Sequence, residues 1–229
     1  FRNVYTTNGG GSDNEPEGTL SHEKYIKRNE DGTYDITLNA SGTIGSKTNP
    51  AKLDIVFIVD TTGSMEGSKL TKTQNAIKAL VDVFNAEDKK DSVGVRYKLV
   101  TFATSASVET NQWVDDGDKF YNDYVKWLTA DGGTNYDQGL TKGADAVGDA
   151  RTDAKKVVIF LTDGKPTYYG TESSGCGEHT STNVMKSAIN SADKIICSDF
   201  YAVGIGLPGK VNVYKSDDCW RHYNYNIYL

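Results

Sequence analysis

Residues 53–65 have the sequence LDIVFIVDTTGSM, which carries the clearest signal of the fold class in this chain. An almost unbroken apolar run stops abruptly at Asp60 and is followed by hydroxyl side chains and a glycine. Short apolar runs of this kind are typical of a parallel strand that is buried on both faces. Residues 68–86 follow with apolar side chains at helical spacing, which predicts an amphipathic helix. The stretch therefore predicts the first strand, loop and helix of an α/β sheet.

The rest of the chain repeats this alternation of strand and helix. Apolar runs predict three further strands, at 93–103, 156–161 and 200–205. The first is expected to have a short antiparallel partner at 107–114, and the other two are expected to be buried on both faces. Helical stripes predict three more helices, within 120–128, 136–147 and 184–195. The pattern predicts an α/β fold with a doubly wound, mostly parallel, Rossmann-like sheet flanked by helices.

Composition divides the chain into three parts. Residues 1–20 are rich in Gly, Asn, Ser and acidic side chains and are expected to be a flexible leader. Residues 21–49 alternate polar and apolar side chains around a turn signal, which predicts a β-hairpin (about 23–40) and a linker, part of a stalk-like β region. Residues 50–229 form the α/β domain. Its periodicity stops after 207, so we expect this domain to be incomplete at the C-terminus.

Charge and hydropathy exclude some classes of function. Lysine and arginine total 25 against 31 acidic residues, which gives a net charge of −6 and argues against a chain-wide nucleic-acid surface. No apolar run approaches the roughly 18 residues of a spanning helix, so no membrane insertion is expected in this chain.

The chain has three cysteines, too few for a disulfide scaffold. Cys197 ends a helical stripe and is expected to be a buried core thiol. Cys176 and Cys219 lie in loops that follow two buried strands and should emerge on the same face of the sheet. A disulfide between them and two unpaired thiols are both open at this point.

Five oxygen-bearing side chains follow the predicted strands or their helices: Asp60, Thr62, Ser64, Thr134 and Asp163. In open α/β sheets the carboxyl ends of the strands form the ligand site, so these side chains should converge there. An oxygen set without His or Cys suits Mg²⁺, with Mn²⁺ or Ca²⁺ as alternatives. Two carboxylates are too few for an all-protein calcium cage but fit Mg²⁺, which retains waters. Such a site can accept an outside ligand.

The set resembles the metal-ion-dependent adhesion site of von Willebrand factor A domains, in which Asp-x-Ser-x-Ser is completed by a distant Thr and a distant Asp. The resemblance implies that Thr62 and Ser64 bind the metal directly, and that Asp60 and Asp163 act mostly through water or as nearby charges. It implies that the engagement of Thr134 changes with conformational state. Thr62 stands where the family most often has Ser, and the hydroxyl is retained.

The hairpin, the linker and LDIVFIVDTTGSM together are similar to the tip adhesins of sortase-assembled pili on Gram-positive bacteria. This resemblance implies an extracellular, non-enzymatic adhesion module of the cell wall or pilus that contacts other pilus subunits. Its metal would be completed by a carboxylate of a host or matrix protein such as collagen, fibronectin or laminin. Residues 166–182 and 208–229 would be loop insertions, or arms, around the metal. Five aromatic side chains are candidates for the ligand-binding rim: Trp113, Tyr168, Tyr169, Trp220 and Tyr223.

Other functions remain open at this stage. An intracellular A domain of a metal-chelatase-like assembly would carry the same metal motif. A Mg²⁺-dependent hydrolase would need a general base or a phosphate-binding loop, and neither GxxxxGK[ST] nor GxSxG occurs. A nucleotide-binding Rossmann domain is disfavoured because the first loop contains no GxGxxG and carries an acidic residue.

Overall fold

The computed structural model describes residues 2–7, 19–28, 34–43, 51–86, 93–207, 210–215, 217 and 224–228. The chain divides into two units, Phe1–Asn49 and Pro50–Leu229. No helix within the described ranges is long and apolar enough to cross a membrane.

The first unit contains a three-stranded antiparallel sheet in the order β1-β2-β3. Its strands are β1 (Arg2–Thr7), β2 (Thr19–Arg28) and β3 (Tyr34–Thr43). The pairing of β2 with β3 confirms the predicted hairpin, although both strands extend beyond 23–40. The turn predicted at 29–32 lies outside the described residues.

The flexible leader expected over 1–20 was wrong for β1, which pairs with β2 along its whole length. The sequence NVYTT in this strand has high β-propensity, and the open edge of a hairpin offers unpaired backbone groups that a third strand can satisfy. The short strand was missed because the composition of residues 1–20 is dominated by the glycine-rich segment 8–18.

The second unit is built on a five-stranded sheet in the order β6-β5-β4-β7-β9. The strands are β4 (Ala51–Asp60), β5 (Val93–Phe102), β6 (Ala106–Val108), β7 (Lys155–Thr162) and β9 (Asp199–Gly204). Only β6 is antiparallel; the other pairings are parallel. The predicted mostly parallel α/β sheet is confirmed.

Helices cover both faces of this sheet. They are α1 (Ser68–Asn85), α2 (Gly117–Phe120) with a π-helical continuation (Tyr121–Val125), α3 (Tyr136–Gly148) and α4 (Thr182–Ala192). Alternate side chains of β4 enter two cores, because successive residues of a strand point to opposite faces. Phe57 packs with Ile77 of α1, whereas Ile58 packs with Leu140 of α3. The central strand is thus buried on both sides and holds its carboxyl end rigidly.

The strand predicted at 200–205 is not buried on both faces. In β9 burial alternates: Tyr201 and Val203 pack against one core, whereas 41% of Phe200 is exposed. β9 is the last strand in the order of the sheet, so one of its edges has no neighbour within that sheet. An apolar run alone does not distinguish an edge strand from a central one.

The two predicted insertions contribute a second small sheet, in the order β11-β10-β8. Its strands are β8 (Thr180–Ser181), β10 (Lys210–Tyr214) and β11 (Asn224–Tyr228). Strands thus occur after 207, where the periodicity of the sequence stops. β10 pairs antiparallel with β11 and in parallel with β8, so one of its two partners comes from a distant part of the chain that local periodicity cannot reveal.

Candidate functional site

Asp60 is the last residue of β4, and its carboxylate is fully buried at the carboxyl edge of the sheet. The backbone N–H of Thr62 donates to its Oδ1 at 2.9 Å, and the hydroxyl of Thr162 donates to its Oδ2 at 2.5 Å. Both oxygens of the carboxylate are therefore oriented by neighbouring groups. The loop turns sharply here because the 3₁₀ turn Gly63–Met65 follows directly.

A continuous line of hydroxyl and carboxylate oxygens runs from this loop to the end of β7. The hydroxyl oxygens of Thr62 and Ser64 lie 2.9 Å apart. Ser64 in turn donates to Oδ1 of Asp163 at 2.8 Å. The structure thus places Asp60, Thr62, Ser64 and Asp163 at the ends of two adjacent parallel strands, with Thr62, Ser64 and Asp163 linked by hydrogen bonds.

The fifth predicted residue, Thr134, belongs to a loop that is tied to the loop after β4. Gly63 N–H donates to the carbonyl of Gly132 at 2.9 Å, and Asp131 N–H donates to the carbonyl of Thr61 at 2.9 Å. Gly132 has φ +81°, a left-handed conformation that favours glycine at this crossing. Thr134 itself is 6% exposed.

The electrostatics of the site are dominated by buried negative charge. Burial raises the pKa of Asp60; hydrogen bonds from Thr162 and Thr62 oppose the rise, and the charge of Asp163 adds to it. An ionised carboxylate in a buried site is stabilised by a nearby cation. The pair of carboxylates therefore favours a positively charged partner.

Three further residues of the site were not singled out from the sequence. Thr162 orients Asp60, as described above. The phenol of Tyr136 lies 2.8 Å from the Thr162 hydroxyl and donates to the carbonyl of Gly164 at 2.5 Å. Lys69 forms a salt bridge with Asp163 at 2.5 Å. The register of β4 and β7 could have identified Thr162: Val59 pairs with Leu161, so the next residues, Asp60 and Thr162, lie side by side.

Two of the predicted rim aromatics lie near the loops of the site. Tyr168 N–H donates to the carbonyl of Thr134 at 3.0 Å, and its ring lies so close to Gly133 that a Cβ there would approach within 2.3 Å. The Tyr169 hydroxyl donates to Asp217 at 3.0 Å. Asp217 also accepts from Asn183 at 2.8 Å, which links the second insertion to α4.

Trp113 does not lie at this edge, contrary to the predicted rim. Its indole N–H donates to the carbonyl of Asp149 at 2.8 Å, and its ring lies 4.9 Å from the guanidinium carbon of Arg96. Arg96 pairs in register with Asp54, at the amino end of β4. The segment 107–114 runs antiparallel to β5, so its end points to the opposite edge of the sheet. Trp220 and Tyr223 lie outside the described residues.

The structure describes one of the two cysteines of the predicted disulfide. Cys176 is disulfide-bonded, and its sulfur lies 3.0 Å from Nδ1 of His179. Cys197 is a free, partly exposed thiol that packs beside the core containing Ile58 and Leu140. Cys219 lies outside the described residues, so its pairing with Cys176 stays a prediction.

The donor set can be tested for its fit to a divalent cation. Within the described ranges, no group of three or more His, Cys, Asp or Glu side chains is arranged to hold a metal. The candidate set contains only two carboxylates and supplements them with hydroxyls. Hard oxygen donors with few carboxylates suit Mg²⁺, which fills its remaining positions with water. The residues present therefore fit such an ion chemically.

Sequence comparison finds curated relatives of this chain. The inter-alpha-trypsin inhibitor heavy chain H2 of Mus musculus is 24% identical over 165 residues, covering 69% of this chain and 16% of that protein. Heavy chain H1 of Mesocricetus auratus is 28% identical over 132 residues, covering 52% of this chain and 13% of that protein. The chain thus spans about a sixth or less of these curated relatives.

A solved structure shares the fold. The pilus adhesin SpaC from Lactobacillus rhamnosus GG gives a TM-score of 0.57 at 21% identity, covering 92% of this chain and 30% of that chain. The model of the von Willebrand factor type A domain family matches residues 54–215, which include β4, the loop after it and the end of β7. This chain belongs to the von Willebrand factor type A domain family.

Proposed function

We propose that this A domain is an adhesion module that binds a protein ligand through a divalent cation. Asp60, Thr62, Ser64, Thr134 and Asp163 would hold the ion, with Mg²⁺ as the preferred metal and Mn²⁺ or Ca²⁺ as alternatives. A carboxylate of the partner protein would complete its coordination. The observation that carries the proposal is the Thr62–Ser64–Asp163 line of oxygens beside Asp60.

The chemistry of the site favours binding over catalysis. Asp60 accepts hydrogen bonds on both oxygens, and Asp163 accepts from Ser64 and Lys69. Each carboxylate is thus engaged by groups that orient it, whereas a general base must be able to reach a substrate proton. We therefore propose a non-enzymatic role, and a Mg²⁺-dependent hydrolase remains the less favoured alternative.

The disulfide at Cys176 and the relatives support an extracellular location for the domain. Disulfides persist mainly in oxidising environments outside the cytosol. Cys176 is disulfide-bonded, which favours an extracellular A domain over one in an intracellular chelatase-like assembly. The similarity to a pilus adhesin supports a location on a Gram-positive cell wall or pilus, next to other pilus subunits.

The proposed ligand surface consists of the metal edge and the residues beside it. Tyr168 and Tyr169 lie on the first insertion and are partly exposed, so they can contribute to a rim around the ion. Tyrosine combines a large apolar area with a polar tip and is common in binding hot spots. Trp113 is excluded from this surface by its position at the opposite edge.

The test is binding of the purified chain to immobilised collagen, fibronectin and laminin, in Mg²⁺ and again in EDTA. We expect binding to at least one of these proteins, lost in EDTA and in Asp163→Asn. Asp153→Asn is the matched control, because it removes the same charge from an exposed surface pair with Lys52.

The outcomes separate the alternatives. Binding that persists in EDTA contradicts recognition through the metal. It supports recognition by the insertions at 166–182 and 208–229 instead. No binding by a folded chain contradicts the matrix-protein ligand. Turnover of a phosphate ester in Mg²⁺ that is lost in Asp163→Asn contradicts the non-enzymatic role and supports the hydrolase.

A further inference from the structure

Lys69 brings a positive charge into the oxygen cluster from the first turn of α1. The helix begins at Ser68 after Gly67, which has φ +76° and turns the chain into the helix in a conformation that favours glycine. Lys69 Nζ donates to Oδ2 of Asp163 at 2.5 Å and to the carbonyl of Ser64 at 3.1 Å. The ammonium therefore contacts two of the predicted metal ligands, Ser64 and Asp163.

The two carboxylate oxygens of Asp163 accept hydrogen bonds from different groups, one from a hydroxyl and the other from an ammonium. Oδ1 accepts from the hydroxyl of Ser64 at 2.8 Å, while Oδ2 accepts from Lys69. The Asp163 side chain is 0% exposed, whereas 39% of the Lys69 side chain is exposed. Lys69 is thus the partner of Asp163 whose side chain also contacts solvent.

The charges of the site do not allow an ammonium and a divalent ion to share one carboxylate without cost. The cluster contains two carboxylates, and Lys69 already compensates one of them. Two cations at contact distance repel each other, and the repulsion is stronger where water is largely excluded. The lysine stem is long and flexible, so its ammonium can leave Asp163 without a change in the backbone.

We propose that Lys69 is an internal cation that competes with the divalent ion for Asp163 and thereby weakens metal binding by this domain. The inference rests on the proposed function, since it concerns the same site. It adds that the metal must displace Lys69 from Asp163, so that a residue outside the ligand set adjusts the affinity. The first turn of α1 is then coupled to the occupancy of the site.

The proposal predicts opposite effects of one variant in two conditions. After EDTA treatment, Lys69→Gln is expected to melt about 2–4 °C below the wild-type chain, since the buried Asp163 has lost its counter-charge. In calorimetric titration with MgCl₂, the same variant is expected to bind Mg²⁺ about tenfold or more tightly, because the repulsion has been removed.

Two controls separate this effect from a general loss of surface charge. Lys72→Gln removes an exposed lysine from the same helix, and we expect wild-type melting and affinity. Lys69→Arg retains the charge and is expected to stay within a few-fold of the wild-type affinity. All titrations use the same ionic strength, set with NaCl.

The results distinguish failure of this inference from failure of the proposed function. Wild-type binding of Mg²⁺ with equal or weaker binding by Lys69→Gln overturns the inference alone. No Mg²⁺ binding by either protein overturns the metal site, and with it the inference. Binding by Lys69→Gln but not by the wild-type chain supports both.

Discussion

The central strand β4 carries two buried aspartates, one in its amino-terminal half and one at its carboxyl end, and the two are held in opposite ways. Asp54 and Asp60 are six residues apart, about 20 Å along an extended strand. Asp54 accepts hydrogen bonds from the guanidinium groups of Arg96 and Arg151, at 2.7 and 2.6 Å. The hydrogen bonds to Asp60 come from the hydroxyl of Thr162 and a backbone N–H.

The pKa values of the two groups move in opposite directions. Burial alone would raise the pKa of Asp54, but the hydrogen bonds from Arg96 and Arg151 outweigh it and hold the pKa below its ordinary value. Burial raises the pKa of Asp60, and the nearby charge of Asp163 adds to the rise. One end of the strand is thus compensated by two permanent cations, whereas the other keeps an excess of negative charge. The comparison separates a carboxylate that two arginines compensate from one that we propose to be part of a cation site.

The largest expected effect is at the amino end. Asp54→Asn should lower the free energy of unfolding by about 3–5 kcal/mol, because it leaves two half-buried guanidinium groups without a counter-charge. Urea denaturation at pH 7 measures the change. Asp153→Asn, in an exposed pair with Lys52, should cost less than about 1 kcal/mol. Equal losses in the two variants would contradict the assignment of Asp54 as a structural anchor.

The pH dependence sharpens the same contrast. Because the pKa of Asp54 is lowered on folding, its stabilisation is fully present above the unfolded value of about 4 and is lost as the pH falls through the folded value. The difference in unfolding free energy between the wild-type chain and Asp54→Asn should therefore shrink below pH 4. Denaturation curves at pH 7, 5, 4 and 3 measure it. A difference as large at pH 3 as at pH 7 would contradict the pairing.

The smallest effect on stability is expected at the carboxyl end. Asp60→Asn should change the free energy of unfolding in EDTA by no more than about 1 kcal/mol, because the amide can still bond Thr62 and Thr162, and a buried charge is removed. The same variant should lose any rise in melting temperature caused by Mg²⁺. Thermal melts with and without the ion measure both quantities. A retained rise would show that Asp60 is not needed for the ion.

The sequence predicted the central features of the fold because they depend on local periodicity. The run before Asp60 was strong enough to indicate a central strand, and four of the five site residues are held at the ends of β4 and β7 or in the loop after β4. The failures concern partners that are distant in the chain. β1 depends on pairing with β2, and β10 pairs with β11 and also with the distant β8. Trp113 was misplaced because the direction of its segment depends on antiparallel pairing.

The contact of Lys69 with Asp163 was beyond sequence reasoning for another reason. A lysine at the start of a surface helix is usually solvated, and nothing in its spacing distinguishes one that turns back toward a strand end. The position of its ammonium depends on the turn that Gly67 imposes and on the packing of α1 against the sheet. Such information appears only when the tertiary structure is known.

The pairing of β8 with β10 has a consequence for the order of folding. Thr180 pairs with Val213, and the chain between them includes α4 and β9. Closing so long a loop costs entropy that only a few ladder bonds offset, so the β8–β10 pairing should form late and open first. Local unfolding near the proposed binding edge would then need less free energy than loss of the β4–β7 core. The arms of the domain could rearrange around a ligand while the strands that hold the oxygens stay folded.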